Sequence, residues 1–335
     1  RESKNLEESI SQSEFIFHLA GVNRSTVSSD FQKDNLQFTQ KIINILEKLK
    51  KYIPIVFSSS IHAAITNSDY GKSKRDAEIS LIDYSKRTHS PIVIYRLNGI
   101  FGNWARPFYN NVVATFIHQA INKEKLTITE GQNKIRLTYI DDIIEQFIGE
   151  INQDKHENVF PEINRFIEIK IEDLANRILR IAGDLNKGFI PEINDRFDRQ
   201  LLATYVGNIS LDGLQKSQII HQDNRGFFTE LLKHNQFGQI SLNSIKPGII
   251  KGNHYHHSKH EMFLTVHGKT IIRLRKIGDN KIYEYESDES KLQWIIIPPG
   301  TVHSIENVHS KEAKVLIWAS EVFDTDNPDT FLGKV

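Results

Sequence analysis

Cysteine is absent from all 335 residues, which excludes disulfides, thiolate metal sites and thiol nucleophiles but leaves the compartment open. An excess of one charge is missing too: 42 basic residues balance 42 acidic ones. With no long basic run, there is no electrostatic case for binding nucleic acid or a membrane surface. The short basic cluster at Lys48 to Lys51 falls on an expected helix and reads as its solvated face. No apolar run approaches the roughly 20 residues of a bilayer-spanning helix, and no signal peptide is visible. A soluble cytoplasmic protein is the default expectation. No internal repeat or low-complexity tract occurs, and neither G-x-G-x-x-G nor G-x-x-G-x-x-G is found.

Against these absences stand two histidine-rich stretches. One runs Gly248-Ile-Ile-Lys-Gly-Asn-His254-Tyr-His256-His-Ser-Lys-His-Glu261 and on to Gly268; the other is Pro298-Pro-Gly300-Thr-Val-His303-Ser-Ile-Glu-Asn307. His254 and His256, two apart on an expected strand, point to the same face; Glu261 follows after a turn, and His303 starts a later strand that can lie opposite. Three imidazoles and one carboxylate suit Zn²⁺, Fe²⁺, Mn²⁺ or Ni²⁺ by donor type. The pair of stretches resembles the two signature motifs of the cupin family, with Leu292 standing where the second motif usually has a glycine.

Upstream lies Asp223-Asn-Arg225-Gly-Phe-Phe228-Thr-Glu230, followed by Lys251-Gly-Asn-His254-Tyr. These segments resemble those of the sugar-nucleotide 3,5-epimerases, themselves cupins. That resemblance implies that Arg225, Glu230 and Lys251 bind a nucleotide diphosphate sugar, and it makes the histidine at position 254 a base. A guanidinium fork fits phosphate oxygens, and imidazole titrates near neutral pH. A nitrogen bound to metal has no free lone pair, however, so His254 is favoured as ligand. Tyr255, His260 or a metal-bound water are then the remaining acid or base.

In the N-terminal half, Pro54-Ile-Val-Phe-Ser58-Ser59-Ser60 reads as a buried strand ending in hydroxyls, and Tyr70-Gly-Lys-Ser-Lys74 opens a helix. Tyr70 and Lys74 share a helix face, and an ammonium beside a phenol is expected to lower the phenol pKa. Around them, Phe15-Ile-Phe-His-Leu-Ala20-Gly21 forms a strand and small-residue turn, and Asn35 sits in the next helix. Arg96-Leu-Asn98-Gly-Ile-Phe101-Gly102 ends a further strand, and Arg136-Leu-Thr-Tyr139-Ile-Asp141-Asp142 precedes another helix. In this order they resemble the extended short-chain dehydrogenase/reductases that act on nucleotide sugars. The resemblance implies that Ser60 orients a ketone, Tyr70 donates a proton, and Lys74 holds the nicotinamide ribose. It also implies that Ala20, Gly21 and Arg96 lie at the cofactor, and that Asn98 and Arg136 lie at the substrate. Taken alone, Arg136 with Asp141 and Asp142 also reads as a solvated strand end and helix cap.

The dinucleotide fingerprint belongs on a first strand lying beside the one that carries Phe15 to Leu19. Without that neighbour, Phe15 to Leu19 is an unprotected apolar edge. The chain also begins at Arg1 rather than Met, so the expectation is that the first few tens of residues of the complete protein are missing here, and that NADP versus NAD is not legible.

Strands and amphipathic helices alternate to about Gly183, including helices over Phe31 to Lys51 and Ile171 to Ile181. Thr204 to Gln218 lacks period and reads as a linker. From Gln239 the texture becomes short strands and turns: Gln239 to Ile245, Glu261 to Val266, Thr270 to Ile277, a turn at Gly278 to Asn280, Lys281 to Glu286, Gln293 to Ile297 and Lys314 to Trp318. The expected fold is therefore an α/β Rossmann-like domain over residues 1–207, a doubly wound parallel sheet lacking its N-terminal strands, followed by an all-β cupin jelly roll over 208–335.

This fusion resembles the CapF family of bacterial capsule-synthesis enzymes, through Pro107 to Asn110, Lys246 to Ile249 and Asn327 to Thr330 in addition to the motifs above. The resemblance implies a zinc-bearing cupin that epimerises C3 of UDP-2-acetamido-2,6-dideoxy-β-L-arabino-4-hexulose. It also implies a reductase that uses NADPH to reduce the C4 ketone, giving UDP-N-acetyl-6-deoxy-L-talosamine on the route to UDP-N-acetyl-L-fucosamine. The other two readings are a reductase whose cupin only supports dimerisation and a non-catalytic sugar-nucleotide binder. A homodimer is expected, paired through the helix carrying Tyr70 and Lys74 and through the cupin sheets.

Overall fold

The computed structural model describes residues 5–128, 134–153 and 160–335; the start of the expected first domain at Arg1 lies outside them. Two compact units are present, one running to Leu179 and taking in Asp195–Ile209, the other combining Arg180–Asn194 with Ser210–Val335.

In the first unit, helix α1 (Leu6–Gln12) precedes strand β1 (Ile16–His18). A helical stretch follows as α2 (Ser28–Phe31), a π-helical segment Gln32–Gln37 and α3 (Phe38–Leu49), which ends at Lys50 in the left-handed conformation. Then come β2 (Ile55–Ser60), the short α4 (His62–Ile65), α5 (Asp69–Thr88) and β3 (Ile92–Leu97). Strands β1, β2 and β3 pair in parallel in that order. Alternation along β2 explains the layering: Ile55 and Phe57 pack with Ile42, Leu46, Leu81 and Tyr84 of α3 and α5. Val56 packs on the opposite face with Ile143 and Phe147, which lie in α7 (Ile140–Ile151). A parallel strand buried on both faces reads as a continuous apolar run, as Ile55-Val56-Phe57 does. The remaining elements are β4 (Gly99–Phe101), α6 (Val112–Ile121), β5 (Ile135–Tyr139), β6 (Ile167–Ile169), α8 (Ile171–Asn186) and α9 (Arg196–Gly207). Strands β4, β5 and β6 form a second small sheet.

The second unit is a pair of antiparallel sheets. Its strands are β7 (Ile220–Asp223), β8 (Gly226–His234), β9 (Gly238–Ile245), β10 (Ile250–Tyr255), β11 (Glu261–His267), β12 (Lys269–Lys276), β13 (Tyr283–Asp288), β14 (Ile295–Ile297), β15 (Thr301–Asn307), β16 (Ala313–Ala319) and β17 (Phe331–Leu332). The five-stranded sheet has the order β13-β12-β15-β10-β17 and the six-stranded sheet β14-β11-β16-β9-β8-β7. Ile245, Phe263, Ile272, Leu274, Ile297, Ile305, Val315 and Ile317 fill the space between them, as inward-facing alternate residues do in a sandwich.

Three local expectations change. Thr204 to Gly207 is the last turn of α9 rather than linker; the Asp195 side chain caps that helix by accepting from the Asp198 N–H at 2.7 Å, a start signal passed over in the sequence. The first strand is shorter than Phe15 to Leu19. Strands β7, β8 and β17 lie in segments not singled out as strands; β7 is exposed along its length and β17 is only two residues long, so neither shows a hydrophobic alternation.

One polar group stands out in the first core. Glu78 of α5 is fully buried and accepts from the Ser59 hydroxyl at 2.6 Å and from Arg96 Nε and Nη2 at 3.0 and 2.7 Å. It thereby ties α5 to the C-terminal ends of β2 and β3. A buried carboxylate is tolerated only with such partners, and removing one partner strands the other. Glu78→Gln should therefore lower the unfolding free energy by about 3 kcal/mol, read from urea denaturation. A loss under about 0.5 kcal/mol, the usual size of a surface change, would show that the Arg96 pair contributes no net stability.

Candidate functional site

At the C-terminal ends of β2 and β3, a cavity of about 590 Å³ is lined by residues that include Gly21, Ser58, Ser59, Ser60, Tyr70, Lys74, Asn98 and Asn111. Helix α5 presents two of these groups. The Ser68 hydroxyl caps the helix by accepting from the Gly71 N–H at 3.1 Å. A Cβ at Gly71 would come within 2.6 Å of the His62 carbonyl oxygen, so glycine beside Tyr70 lets α5 approach α4. The turn after β1 is equally close-fitted, since a Cβ at Gly21 would stand 2.7 Å from Asn35 Oδ1 and 3.1 Å from Lys74 Nζ. Asn35 fastens that turn to α5: its side chain accepts from the Val22 N–H at 2.8 Å and donates to the Val22 carbonyl and to Ser73 Oγ at 2.9 Å each.

Lys74 Nζ donates to the Ser58 carbonyl at 2.8 Å. Burial pushes its pKa down to about 8, against the pull of the Glu78 carboxylate. Tyr70 departs from expectation. Its pKa is raised, because burial disfavours the phenolate more than hydrogen bonding with Ser60 favours it. The phenol is thus protonated at neutral pH, the form that donates a proton. His18, under the same turn, is pushed down to about 3 by burial and by the Lys74 charge; it is a neutral core imidazole bonded to Thr39 Oγ1 at 2.8 Å.

Not every residue expected here lines this cavity. Asn98 does, and its side-chain oxygen accepts from Thr138 Oγ1 at 2.8 Å. Arg96 is committed to Glu78, and Ala20 lines a different, apolar recess together with Phe17 and Phe38. Arg136 pairs with Glu168 at 3.2 Å on an exposed strand. Asp142 is no helix cap: its buried carboxylate accepts from Arg196 Nη2 at 2.5 Å, Gln200 at 3.1 Å and Arg165 at 3.3 Å. Burial pushes its pKa up, but the two guanidinium groups outweigh this and hold it below the usual carboxylate range. The residues present fit the nicotinamide end of a dinucleotide, with phenol, ammonium and hydroxyl around one cleft and a glycine turn where a Cβ would collide. Among the described residues no glycine-rich turn for the diphosphate is found.

In the second unit, His254, His256, Glu261 and His303 bring their ligand atoms within 4.8 Å of one another. A bulge makes this possible. The β10–β15 register shifts between Gly252 and His254, with Gly252 at φ +93° and its hypothetical Cβ 2.9 Å from the His303 carbonyl oxygen. After the shift, His254 stands opposite His303, ring centroids 4.4 Å apart. His256 lies one residue beyond β10, and Glu261 comes across from the other sheet at the start of β11. Glu261 Oε2 sits 3.3 Å from His256 Nε2 and 3.2 Å from His303 Nε2, yet all three atoms are buried without a hydrogen-bond partner. Such atoms are costly unless something compensates them. Burial pushes Glu261 up, but the flanking His256 and His303 imidazoles outweigh it and hold its carboxyl well below the usual range. His254 is lowered to about 4, chiefly by burial, so it is neutral with a lone pair to offer. The donor set fits one divalent cation.

The quartet shares a cavity of about 590 Å³, to which His254, Glu261 and His303 contribute, with Arg225 and Lys251. Lys251 Nζ donates to Asn243 Oδ1 at 2.8 Å and to the Ser244 carbonyl at 2.9 Å; burial lowers its pKa. Arg225 Nη2 pairs with Asp223 at 2.7 Å. Glu230 pairs with Lys233 at 3.0 Å and does not line this cavity. Neither do Tyr255, stacked on Phe331, and His260, edge-on to Trp318. Sequence reasoning missed Gln239, Ser241 and Asn243 of β9, which line the cavity. Their signal is the period-two run of polar residues at the inward positions of a buried strand.

Comparison with known proteins agrees with this division. Residues 1–160 match the NAD dependent epimerase/dehydratase family, and residues 221–331 match the polysaccharide biosynthesis C-terminal domain. UDP-2-acetamido-2,6-beta-L-arabino-hexul-4-ose reductase of Pseudomonas aeruginosa is 34% identical over 98% of this chain and 88% of its own length. The crystal structure of the capsular polysaccharide assembling protein CapF from Staphylococcus aureus superposes with a TM-score of 0.88 at 32% identity, covering 100% of this chain and 91% of CapF. The Bacillus cereus UDP-glucuronic acid 4-epimerase, at 21% identity and a TM-score of 0.53 over 61% of this chain and 76% of that one, shares the fold of the first unit. On these grounds the chain belongs to the family of the Pseudomonas UDP-2-acetamido-2,6-beta-L-arabino-hexul-4-ose reductase and CapF, a Rossmann-like epimerase/dehydratase domain joined to an all-β polysaccharide-biosynthesis domain.

Proposed function

We propose that the chain carries both steps of a UDP-sugar conversion: epimerisation at C3 of UDP-2-acetamido-2,6-dideoxy-β-L-arabino-4-hexulose in the second unit, then NADPH-dependent reduction of its C4 ketone in the first, toward UDP-N-acetyl-L-fucosamine for capsule or O-antigen. The observation that carries the reading is a quartet of metal donors, three of which line the same cavity as Arg225 and Lys251. Cations beside a metal-ligating set suit a nucleotide diphosphate joined to a polarisable carbonyl.

In the first unit, the Ser60 hydroxyl donates to the C4 oxygen and orients it, while Tyr70 gives that oxygen its proton. Lys74 anchors the cofactor ribose, and its partial charge near neutral pH is set by burial against Glu78. The nicotinamide, when bound, supplies the hydride. In the second unit, Arg225 and Lys251 hold the diphosphate sugar, and His254, His256, Glu261 and His303 hold Zn²⁺ or another divalent ion. The ion, when bound, polarises the C4 oxygen as a Lewis acid. The order follows from the substrate, because the C4 ketone acidifies the C3 proton and that acidity vanishes once the ketone is reduced. The working form is proposed to be a homodimer, which a dimer mass in light scattering at micromolar concentration would support and a monomer mass would contradict.

Two substitutions separate the steps. Tyr70→Phe should cut ketone reduction roughly a hundredfold or more while leaving C3 hydrogen–deuterium exchange in D₂O unchanged. Glu261→Ala removes the only anionic donor; it should lose the bound ion by elemental analysis and the exchange with it. A metal-free wild-type protein that still exchanges the C3 proton would refute the metal assignment. Exchange that survives Glu261→Ala and disappears in Tyr70→Phe would move the epimerase to the reductase cleft and leave the second unit without a catalytic step.

A further inference from the structure

The segment after β16 returns across the metal quartet and makes a dense set of contacts with the turn between His256 and Glu261. The Asp329 carboxylate accepts three consecutive main-chain N–H groups, from His257 at 2.8 Å on one oxygen and from Ser258 and Lys259 at 2.8 Å each on the other. The second oxygen also accepts the Ser258 hydroxyl at 3.0 Å. The same residue's carbonyl oxygen accepts from His256 Nδ1. A carbonyl can only accept, so His256 carries its proton on Nδ1 and its Nε2 lone pair is left facing Glu261. Two residues later, β17 pairs with β10, setting Phe331 opposite Tyr255 and Leu332 opposite His254.

We propose that Asp329 is a positioning residue for the metal centre. Its carboxylate fixes the 257–259 turn, and its carbonyl fixes the tautomer and ring plane of His256. It therefore controls how tightly, and for how long, the ion is held. This rests on the reading of His254, His256, Glu261 and His303 as a metal site, and extends it to a residue 73 positions from the ligand it orients. The physical reason is general: a ligating imidazole that must also find its own orientation binds more weakly than one whose second nitrogen is already engaged. His303 has a longer contact of the same kind, Nδ1 to the Thr301 carbonyl at 3.3 Å, and it comes from within its own strand. Among the described residues, the restraint on His256 Nδ1 comes from the returning C-terminal segment, through the Asp329 carbonyl and, at 3.5 Å, Thr330 Oγ1; the Asp329 carboxylate holds that carbonyl in place by clamping the 257–259 turn.

The test uses the full chain, stripped of metal and titrated with Zn²⁺ in competition with a chromophoric chelator. Asp329→Ala should weaken Zn²⁺ binding roughly 10- to 100-fold and speed Zn²⁺ release, while the metal-free protein melts within a few degrees of wild type. In proton–nitrogen spectra of the metal-free protein, the slowly exchanging His256 Nδ1 proton should broaden or vanish. Asp329→Asn keeps the side-chain volume but turns an N–H donor toward donors, so it should weaken binding severalfold and serves if the alanine variant does not fold. Unchanged affinity and release rate in a folded Asp329→Ala or Asp329→Asn protein would overturn the inference and leave the metal site standing. A lower melting temperature with unchanged affinity would overturn it equally, reducing Asp329 to a structural clip. Wild-type protein that takes up no Zn²⁺ would overturn the inference together with the metal reading beneath it.

Discussion

A carboxylate taken out of water must be answered by donors or by a cation, and this constraint organises both units. In the first, Glu78 lies fully buried where α5 meets the sheet, and Ser59 and Arg96 converge on it from two strands. The bonds that settle this charge also hold Tyr70 and Lys74, two turns and one turn earlier on the same helix, at a set height over the strand ends. In the second, Glu261 enters the interior with its inner oxygen against the His256 and His303 imidazole nitrogens. The first carboxylate is satisfied by the chain itself. The second has buried donor atoms without hydrogen-bond partners beside it, and that contrast separates a structural node from a donor set that fits a cation.

Backbone geometry then does the fine positioning. Gly71 permits α5 to approach the His62 carbonyl, and Gly21 permits the β1 turn to pass Asn35 and Lys74. Gly252, in the left-handed region, lets β10 bulge so that His254 faces His303 across the sheet. A strict period-two strand would still have placed His254 and His256 on one face. The bulge adds the approach of β15 at the height where Glu261 arrives from the opposite sheet.

The two centres also divide the chemistry by environment. Burial keeps the Tyr70 phenol protonated and lowers Lys74 toward neutrality, which suits a proton donor beside a cofactor. Around the quartet, burial keeps His254 neutral and the imidazoles keep Glu261 ionised, which suits ligation. One physical effect, desolvation, yields an acid in one cavity and ligands in the other because the neighbours differ.

Much of this was legible in the chain. The donors His254, His256, Glu261 and His303, the pair Tyr70 and Lys74, and the alternation of strands and helices followed by short strands were readable from local spacing, because strand and helix periods dictate which neighbours share a face; the family was legible through the resemblance of its motifs. What only the tertiary structure decided was where side chains go once that face is buried. It turned Arg96 onto Glu78, Arg136 onto Glu168 and Asp142 onto Arg196. It reversed the expected direction of the Tyr70 shift, since burial outweighs a nearby ammonium and the sequence carries no measure of burial. It brought Asn243 and Asp329 to Lys251 and His256. Local periodicity specifies the faces of single elements; pairing between sheets and the return of the C-terminal segment are long-range contacts, decided by which elements bury one another's apolar faces, and that choice has no period to read.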